Sequence, residues 1–260
     1  MRNSGMAIAS ASAPPTRRLA ALLRQGGTTL LDLFFPPRCP GCGRVGDLFC
    51  PACRAQVAPI TEPVCLRCGR PLPEDALCAD CRAQASALDG IRAAVIFAPP
   101  IREAIHSLKY ANGRGLAAPL ADYMVAAWRR VDPPADCIVP VPLHANRLAE
   151  RGYNQSALLA RALGAAVGLP VDEKLVLRQK ATRQQALLSA AEARANVEDA
   201  FVCGASAAGK RIVLIDDVCT TGATLEACAA AVRAAGATSI WALTLARARW
   251  LPGRPAPDAG

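Results

Sequence analysis

The stretch IVLIDDVCTTGATLEACAAAVRAAG, residues 212–236, decides the fold. Four aliphatic residues, Ile212 to Ile215, run straight into two adjacent acids, Asp216 and Asp217. A short apolar run bounded by turn residues reads as a buried strand, and the alanine-rich repeat beyond Thr224 reads as a helix. Thr220, Thr221, Gly222, Ala223 and Thr224 connect the two. In open α/β sheets, ligands sit at the carboxyl ends of strands, which is where the acid pair falls. The helix that follows starts with unpaired amides and a dipole that favour an anion. Threonine hydroxyls add donors, and Gly222 lets the backbone approach a phosphate closely. Two carboxylates beside such a cradle suit a sugar phosphate: the acids accept from vicinal hydroxyls and the amides hold the ester. A helix cap needs one polar residue of this kind, whereas residues 216–224 hold five.

Upstream, the texture is that of an α/β domain. AAVIF (93–97) reads as a strand, and IREAIHSLKY (101–110) as a helix with Ile101, Ile105 and Leu108 on one face. GLAAPLADYMVAAWRR continues as helix, DCIVPVP (136–142) as strand, SALLARALGAAVG as helix and KLVLR as strand. A polar loop follows, then RIVLIDD, the helix after it and the strand TSIWALTLA. Alternating strands and helices predict a parallel sheet with helices on both faces. The Pro- and Gly-rich end, 251–260, reads as a flexible tail, and residues 1–33 as an N-terminal tail.

Between them, residues 34–88 hold eight cysteines as four Cys-x-x-Cys pairs: Cys39/Cys42, Cys50/Cys53, Cys65/Cys68 and Cys78/Cys81. Two intervening residues let one tight turn aim both sulfurs at one ion, about 2.3 Å from each. CPGCG and CLRCG carry a glycine after the second cysteine, and CPAC and CADC do not. The order therefore repeats, which points to an internal duplication. Consecutive pairing gives one zinc to Cys39, Cys42, Cys50 and Cys53 and a second to Cys65, Cys68, Cys78 and Cys81; spacing leaves a cross-braced alternative open. Four thiolates close a zinc's coordination, so these ions are expected to fold the segment and not to catalyse. Cys137, Cys203, Cys219 and Cys228 lack the spacing and read as packing residues, Cys219 being incidental to the bend.

The 260 residues suffice for one large domain, or one domain with a smaller appendage. MAIASASAPPTRRLAALLRQ places its arginines after its small residues, unlike an export signal, and no apolar run is long enough to span a bilayer. A cytoplasmic protein is expected, and there spaced cysteines more often bind metal than form disulfides. Thirty basic and 21 acidic residues give +9, reduced to about +5 by two tetrathiolate zincs, a surplus that suits an anionic ligand. Aromatic residues are only 4%, which argues against a dedicated single-strand stacking platform.

VLIDDVCTTGATL (213–225) resembles the 5-phosphoribosyl 1-pyrophosphate (PRPP) signature of class I phosphoribosyltransferases. With VPVPLHANRLAERGYNQSALLARAL (139–163), TRQQALLSAAEARANVEDAF (182–201) and the cysteine segment, the chain resembles the ComF family of competence-associated phosphoribosyltransferase-like proteins over roughly residues 34–250. The resemblance implies a double zinc ribbon at 34–88 and a phosphoribosyltransferase-like domain at 89–250. It gives Asp216 and Asp217 the ribose hydroxyls, near Mg²⁺, as candidate catalytic residues, and gives Thr220, Thr221, Gly222, Ala223 and Thr224 the 5-phosphate. Pro142, Leu143 and His144 fall where the family places its pyrophosphate loop, with Arg147 and Arg151 able to neutralise that group. Lys109 and Tyr110 match a further position near the ligand. RGYNQ (151–155) is a family hallmark whose chemistry the sequence leaves undefined. RQKATRQQALLS (178–189) sits where such enzymes carry a lid. Thr182, Gln185, Arg194 and Asn196 agree with the family pattern as markers, and His106 reads as structural. Two functions follow: transfer of a phosphoribosyl group to a nitrogen acceptor, or a non-catalytic module that senses a phosphorylated pentose or binds single-stranded DNA. The resemblance links both to DNA uptake in natural transformation, with helicase and membrane-channel partners, and leaves nucleotide metabolism as the alternative setting for the transferase.

Overall fold

The computed structural model describes residues 36–74, 76–180 and 190–248. Four strands, β1 (Gly90–Phe97), β2 (Cys137–Pro140), β5 (Arg211–Cys219) and β6 (Ser239–Ala248), form one fully parallel sheet in the order β1-β6-β5-β2. Of its two inner strands, β5 is buried from Ile212 to Ile215, as the unbroken aliphatic run requires of a strand covered on both faces.

Val213 and Ile215 pack into a cluster with the helices α3 (Ile101–Tyr110), α4 (Ala117–Val131) and α6 (Gln155–Val167). The first of these buries Ile101, Ala104, Ile105 and Leu108, the spacing of one helical face. Ile212 and Leu214 point to the other side, against α8 (Ala223–Ala234). That face is completed by an antiparallel pair, β3 (Val176–Arg178) and β4 (Phe201–Cys203), and by α7 (Ala190–Val197). The sheet thus carries helices on both faces, as the sequence predicts. The predicted strand KLVLR lies outside the main sheet, and the polar loop after it gives way to α7 and β4 before β5 begins. Residues 181–189 of the expected lid, with Thr182 and Gln185, lie outside the described residues, as do the two tails.

The short helices α1 (Pro51–Arg54) and α2 (Ala79–Ala83) each end a cysteine loop. The duplication holds bond by bond. Cys39 donates its N–H to the Arg44 carbonyl at 2.8 Å, and Cys65 to that of Arg70 at 2.7 Å. Gly43 and Gly69, at φ +76° and +68°, turn their N–H groups onto the carbonyls of Cys39 and Cys65. Cys50 donates to Cys39 Sγ, and Cys78 to Cys65 Sγ, each at 3.4 Å. The linker between the two loops runs antiparallel along the free edge of β1, with Ile60 donating to Ala94 and Ile96 to Ala58. An edge strand that would otherwise present unpaired groups is therefore covered.

Candidate functional site

Two metal centres can be read directly. The sulfurs of Cys39, Cys42, Cys50 and Cys53 lie within 4.8 Å of one another, as do those of Cys65, Cys68, Cys78 and Cys81. Tetrahedral zinc holds thiolates about 2.3 Å away, which sets neighbouring sulfurs about 3.8 Å apart. Separations of 3.5 Å (Cys42–Cys50) and 3.9 Å (Cys68–Cys78) match this. Pairing is consecutive, which settles the cross-braced alternative. Of the other cysteines, Cys137, Cys219 and Cys228 are buried in the α8-side cluster, and Cys203 is half-buried.

The ligand crevice follows from the topology. The connection after β2 leads to α6 on one face of the sheet, and that after β5 leads to α8 on the other. Chains leaving neighbouring strands toward opposite faces open a crevice between the strand ends. Asp216 and Asp217 stand at its rim. Asp217 is buried: its Oδ2 meets Lys109 Nζ from α3 at 2.8 Å, and its Oδ1 accepts from Gln155 Nε2 at 3.2 Å. Burial works against its charge, but the Lys109 ammonium holds its carboxyl below the usual range. Asp216, half-buried, accepts from Ser156 Oγ at 2.8 Å and from the Asp217 N–H at 2.9 Å. Burial first, then the Asp217 charge, push its carboxyl up to about 7.

Past Cys219 the chain bends through Thr220–Thr224. Gly222 is the N-cap of α8 at φ +86°, a left-handed conformation that glycine adopts without strain. The Ala223 N–H is bonded to Thr221 Oγ1 at 3.3 Å, whereas those of Thr221 and Gly222 have no acceptor among the described residues.

On the β2 side, a cavity of about 560 Å³ is lined by Lys109, Tyr110, His144, Arg147, Arg151 and Arg178, among others. His144 caps α5 (Ala145–Arg151), its Nδ1 accepting from the Asn146 N–H at 3.3 Å. The Arg151 guanidinium lies 4.9 Å from the centre of the Tyr110 ring and donates to Gln155 Oε1. Pro142 and Leu143 lead into the cavity without forming its wall, and neither the acid pair nor residues 220–224 line it. The link is Gln155, which joins Arg151 to Asp217. His106 is exposed on α3 against the Tyr110 ring and takes no part in the cavity wall. Asn196 is half-buried on α7, and the Arg194 side chain lies outside what is described.

RGYNQ now has a physical role. Gly152, at φ +74°, stops α5. The Tyr153 hydroxyl donates to the Leu108 carbonyl and so fixes the end of α3 that carries Lys109. Asn154 caps α6 through Ser156 N at 3.0 Å and donates to the Val141 carbonyl at 2.9 Å. Gln155 and Ser156 then hold the two acids. Sequence reading missed Gln155, Ser156 and Arg178. Asn154, a residue type favoured at N-caps, was the available clue to the first two.

Residues 30–82 match the family described as the double zinc ribbon domain, and residues 149–255 that described as the phosphoribosyl transferase domain. Competence protein F of Haemophilus influenzae is 32% identical over 230 residues, covering 83% of this chain and 99% of that protein. DNA utilization protein YhgH of Salmonella typhi is 31% identical over 190 residues, covering 71% and 84%. Among solved structures, the glutamine PRPP amidotransferase of Bacillus subtilis superposes with a TM-score of 0.36 at 20% identity, over 50% of this chain and 26% of that much longer one. Cover of nearly the whole of Competence protein F at that identity makes this chain a member of the ComF family.

Proposed function

We propose that the chain binds PRPP with Mg²⁺ in the crevice between β2 and β5, as a phosphoribosyltransferase-like protein acting in DNA uptake or utilization in the cytoplasm. The observation that carries this reading is the conjunction at one sheet end of an acid pair, a glycine bend at a helix start, and a cavity rich in cations. In it, Asp216 and Asp217 accept from the ribose hydroxyls. The N–H groups and hydroxyls of Thr220–Thr224 hold the 5-phosphate, and His144, Arg147 and Arg151 face the pyrophosphate beyond the Pro142–Leu143 turn. Mg²⁺ is held through one or two carboxylates plus substrate phosphates, and Asp216, in no ion pair among the described residues, fits that donor set. The metal supplies neutralisation of the pyrophosphate charge. The role in DNA uptake rests on the names of the relatives, Competence protein F and DNA utilization protein YhgH.

A second reading is favoured by the engagement of Asp217 with Lys109 and Gln155: an acid so held positions a ligand better than it moves a proton. In that reading the site holds a phosphorylated pentose without turnover. Calorimetric titration with PRPP and Mg²⁺ tests what the two share, with saturable binding expected in the wild type and much weakened in Asp216→Asn. No heat from the wild type would sink both. Release of pyrophosphate on adding a nitrogenous base then selects the transferase, and binding without release selects the holding module.

A further inference from the structure

Arg247 lies one residue before the end of β6. Its side chain is buried, 4% exposed, and among the described residues it forms no ion pair with an acid. Nη1 donates to the Cys68 carbonyl at 2.7 Å and to Cys219 Sγ at 3.2 Å, while Nε is buried without a hydrogen-bond partner among the described residues. A guanidinium withdrawn from water without a counter-charge is strongly unfavourable. Among the described residues, a counter-charge is offered by the second tetracysteine site, whose four thiolates would give a zinc centre a net charge of −2.

The other end of this contact reaches the bend. Cys219 precedes Thr220, and a Cβ built on Gly222 would lie 3.9 Å from Cys219 Sγ and 3.4 Å from Ile91 Cδ1. Ile91 is itself fastened to the second cysteine loop, its N–H donating to the Arg67 carbonyl at 2.6 Å. A Cβ on Gly69 would meet the Ile91 carbonyl oxygen at 2.3 Å, so this knuckle glycine is pressed directly on β1. Two routes, Arg247 to Cys219 and Arg67 to Ile91, thus run from one zinc loop to the floor beneath one glycine.

We propose that Arg247 is a positioning residue that couples the second zinc site to the 220–224 bend. Its charge is balanced by the ribbon thiolates, and its guanidinium supports Cys219 under Gly222. The ribbon is then a brace for the ligand loop as well as a cover for the sheet edge. The part concerning the loop rests on the PRPP reading, and the part concerning zinc does not.

The test uses the full zinc-loaded chain with Arg247→Met and Arg247→Lys, following zinc release to a chromogenic chelator. Thiol alkylation mapped by peptide mass identifies which ribbon opens. Loss of a residue supporting a metal's ligands costs about ten- to a hundredfold in metal affinity, so Arg247→Met should lose zinc from Cys65, Cys68, Cys78 and Cys81 faster by that order. Cys39, Cys42, Cys50 and Cys53 should stay protected, and Arg247→Lys, which keeps the charge, should lie nearer the wild type. Unchanged release, or equal opening of both ribbons as in a general loss of folding, overturns the zinc half. With excess zinc present, Arg247→Met should also bind PRPP and Mg²⁺ about tenfold more weakly, within the usual range of coupling between sites. Wild-type affinity in that variant overturns the loop half. A wild type that binds no PRPP refutes the functional reading instead, and leaves the release comparison to decide on zinc.

Discussion

Asp217 and Lys109 are the residues on which the site's rigidity depends, because each is nearly withdrawn from water and each neutralises the other's charge. Their side chains are 6% and 11% exposed, at 2.8 Å. Removing one partner from such a pair strands the other's charge, so Asp217→Asn should lower stability by about 3 kcal/mol in urea unfolding. The double variant with Lys109→Met should recover most of that loss. Asp217's contribution is present above the ordinary carboxyl value of 3.8 and is lost as pH falls. Asp216 has the opposite sign. Its carboxyl is raised from 3.8 to about 7, so the folded chain holds that proton more tightly than the unfolded one. Its stabilising effect is complete below the lower value and vanishes as pH rises through the upper. Ligand binding should run against this, because only the ionised carboxylate serves Mg²⁺ and ribose hydroxyls. The affinity for PRPP with Mg²⁺ should therefore climb through about pH 7 and then level. In Asp216→Asn, calorimetry across the same range should find weak binding with no such rise.

At the scale of elements, the two helix starts at the crevice carry different loads. Asn154 caps α6 and ties it to the end of β2, so Asn154→Ala should cost about 1 kcal/mol and loosen the seats of Gln155 and Ser156. Gly222 starts α8 at φ +86°, where an L side chain is strained by about 1–2 kcal/mol. Gly222→Ala should show that loss in urea and a larger fractional loss in PRPP affinity, since the methyl presses on Ile91 and Cys219 beneath the bend and disfavours the backbone turn that shapes the ligand loop. Legibility in the sequence follows the same division between local and distant. α3 could be read to the residue because Ile101, Ile105 and Leu108 repeat at helical spacing, and β5 could be placed by its aliphatic run, although the strand continues through the acid pair to Cys219. α7 escaped because AAEARANV has no apolar stripe, and β3 could not be assigned to a separate sheet because pairing is not written in three residues. The chemistry of RGYNQ was illegible for a further reason. Tyr153 reaches back 45 residues to Leu108, and Gln155 reaches forward 62 to Asp217. Such contacts exist only once the sheet has brought the ends together.

Taken as a whole, the molecule does not wear its cysteine segment as an appendage. Cys39, Phe49, Cys50 and Cys53 belong to the same buried cluster as Ile101, Ile105, Met124 and Leu163. The Gly41 position is so tight that a Cβ there would meet Pro100 Cβ at 2.7 Å. The linker meanwhile covers the edge of β1, and Arg54 reaches Asp122 on α4 at 3.3 Å. Structural zinc contributes its binding energy to folding, so its removal should be felt by everything sharing that cluster. Each kcal/mol lost moves Tm by about 2–4 °C in a chain of this size, and chelation should lower the whole transition by about 10 °C or more. Scanning calorimetry with and without a chelator distinguishes the cases. A single endotherm that shifts down intact means ribbons and sheet melt as one body. A small early transition that leaves the main one in place means the ribbons peel away alone. The edge of β1 that the linker covers gives a second readout: if the linker loosens with its zincs gone, the metal-free chain should aggregate on warming more readily than the loaded one, because an unpaired strand edge templates pairing with another copy. Light scattering that stays flat while zinc is absent would show that the linker holds the edge without its metals.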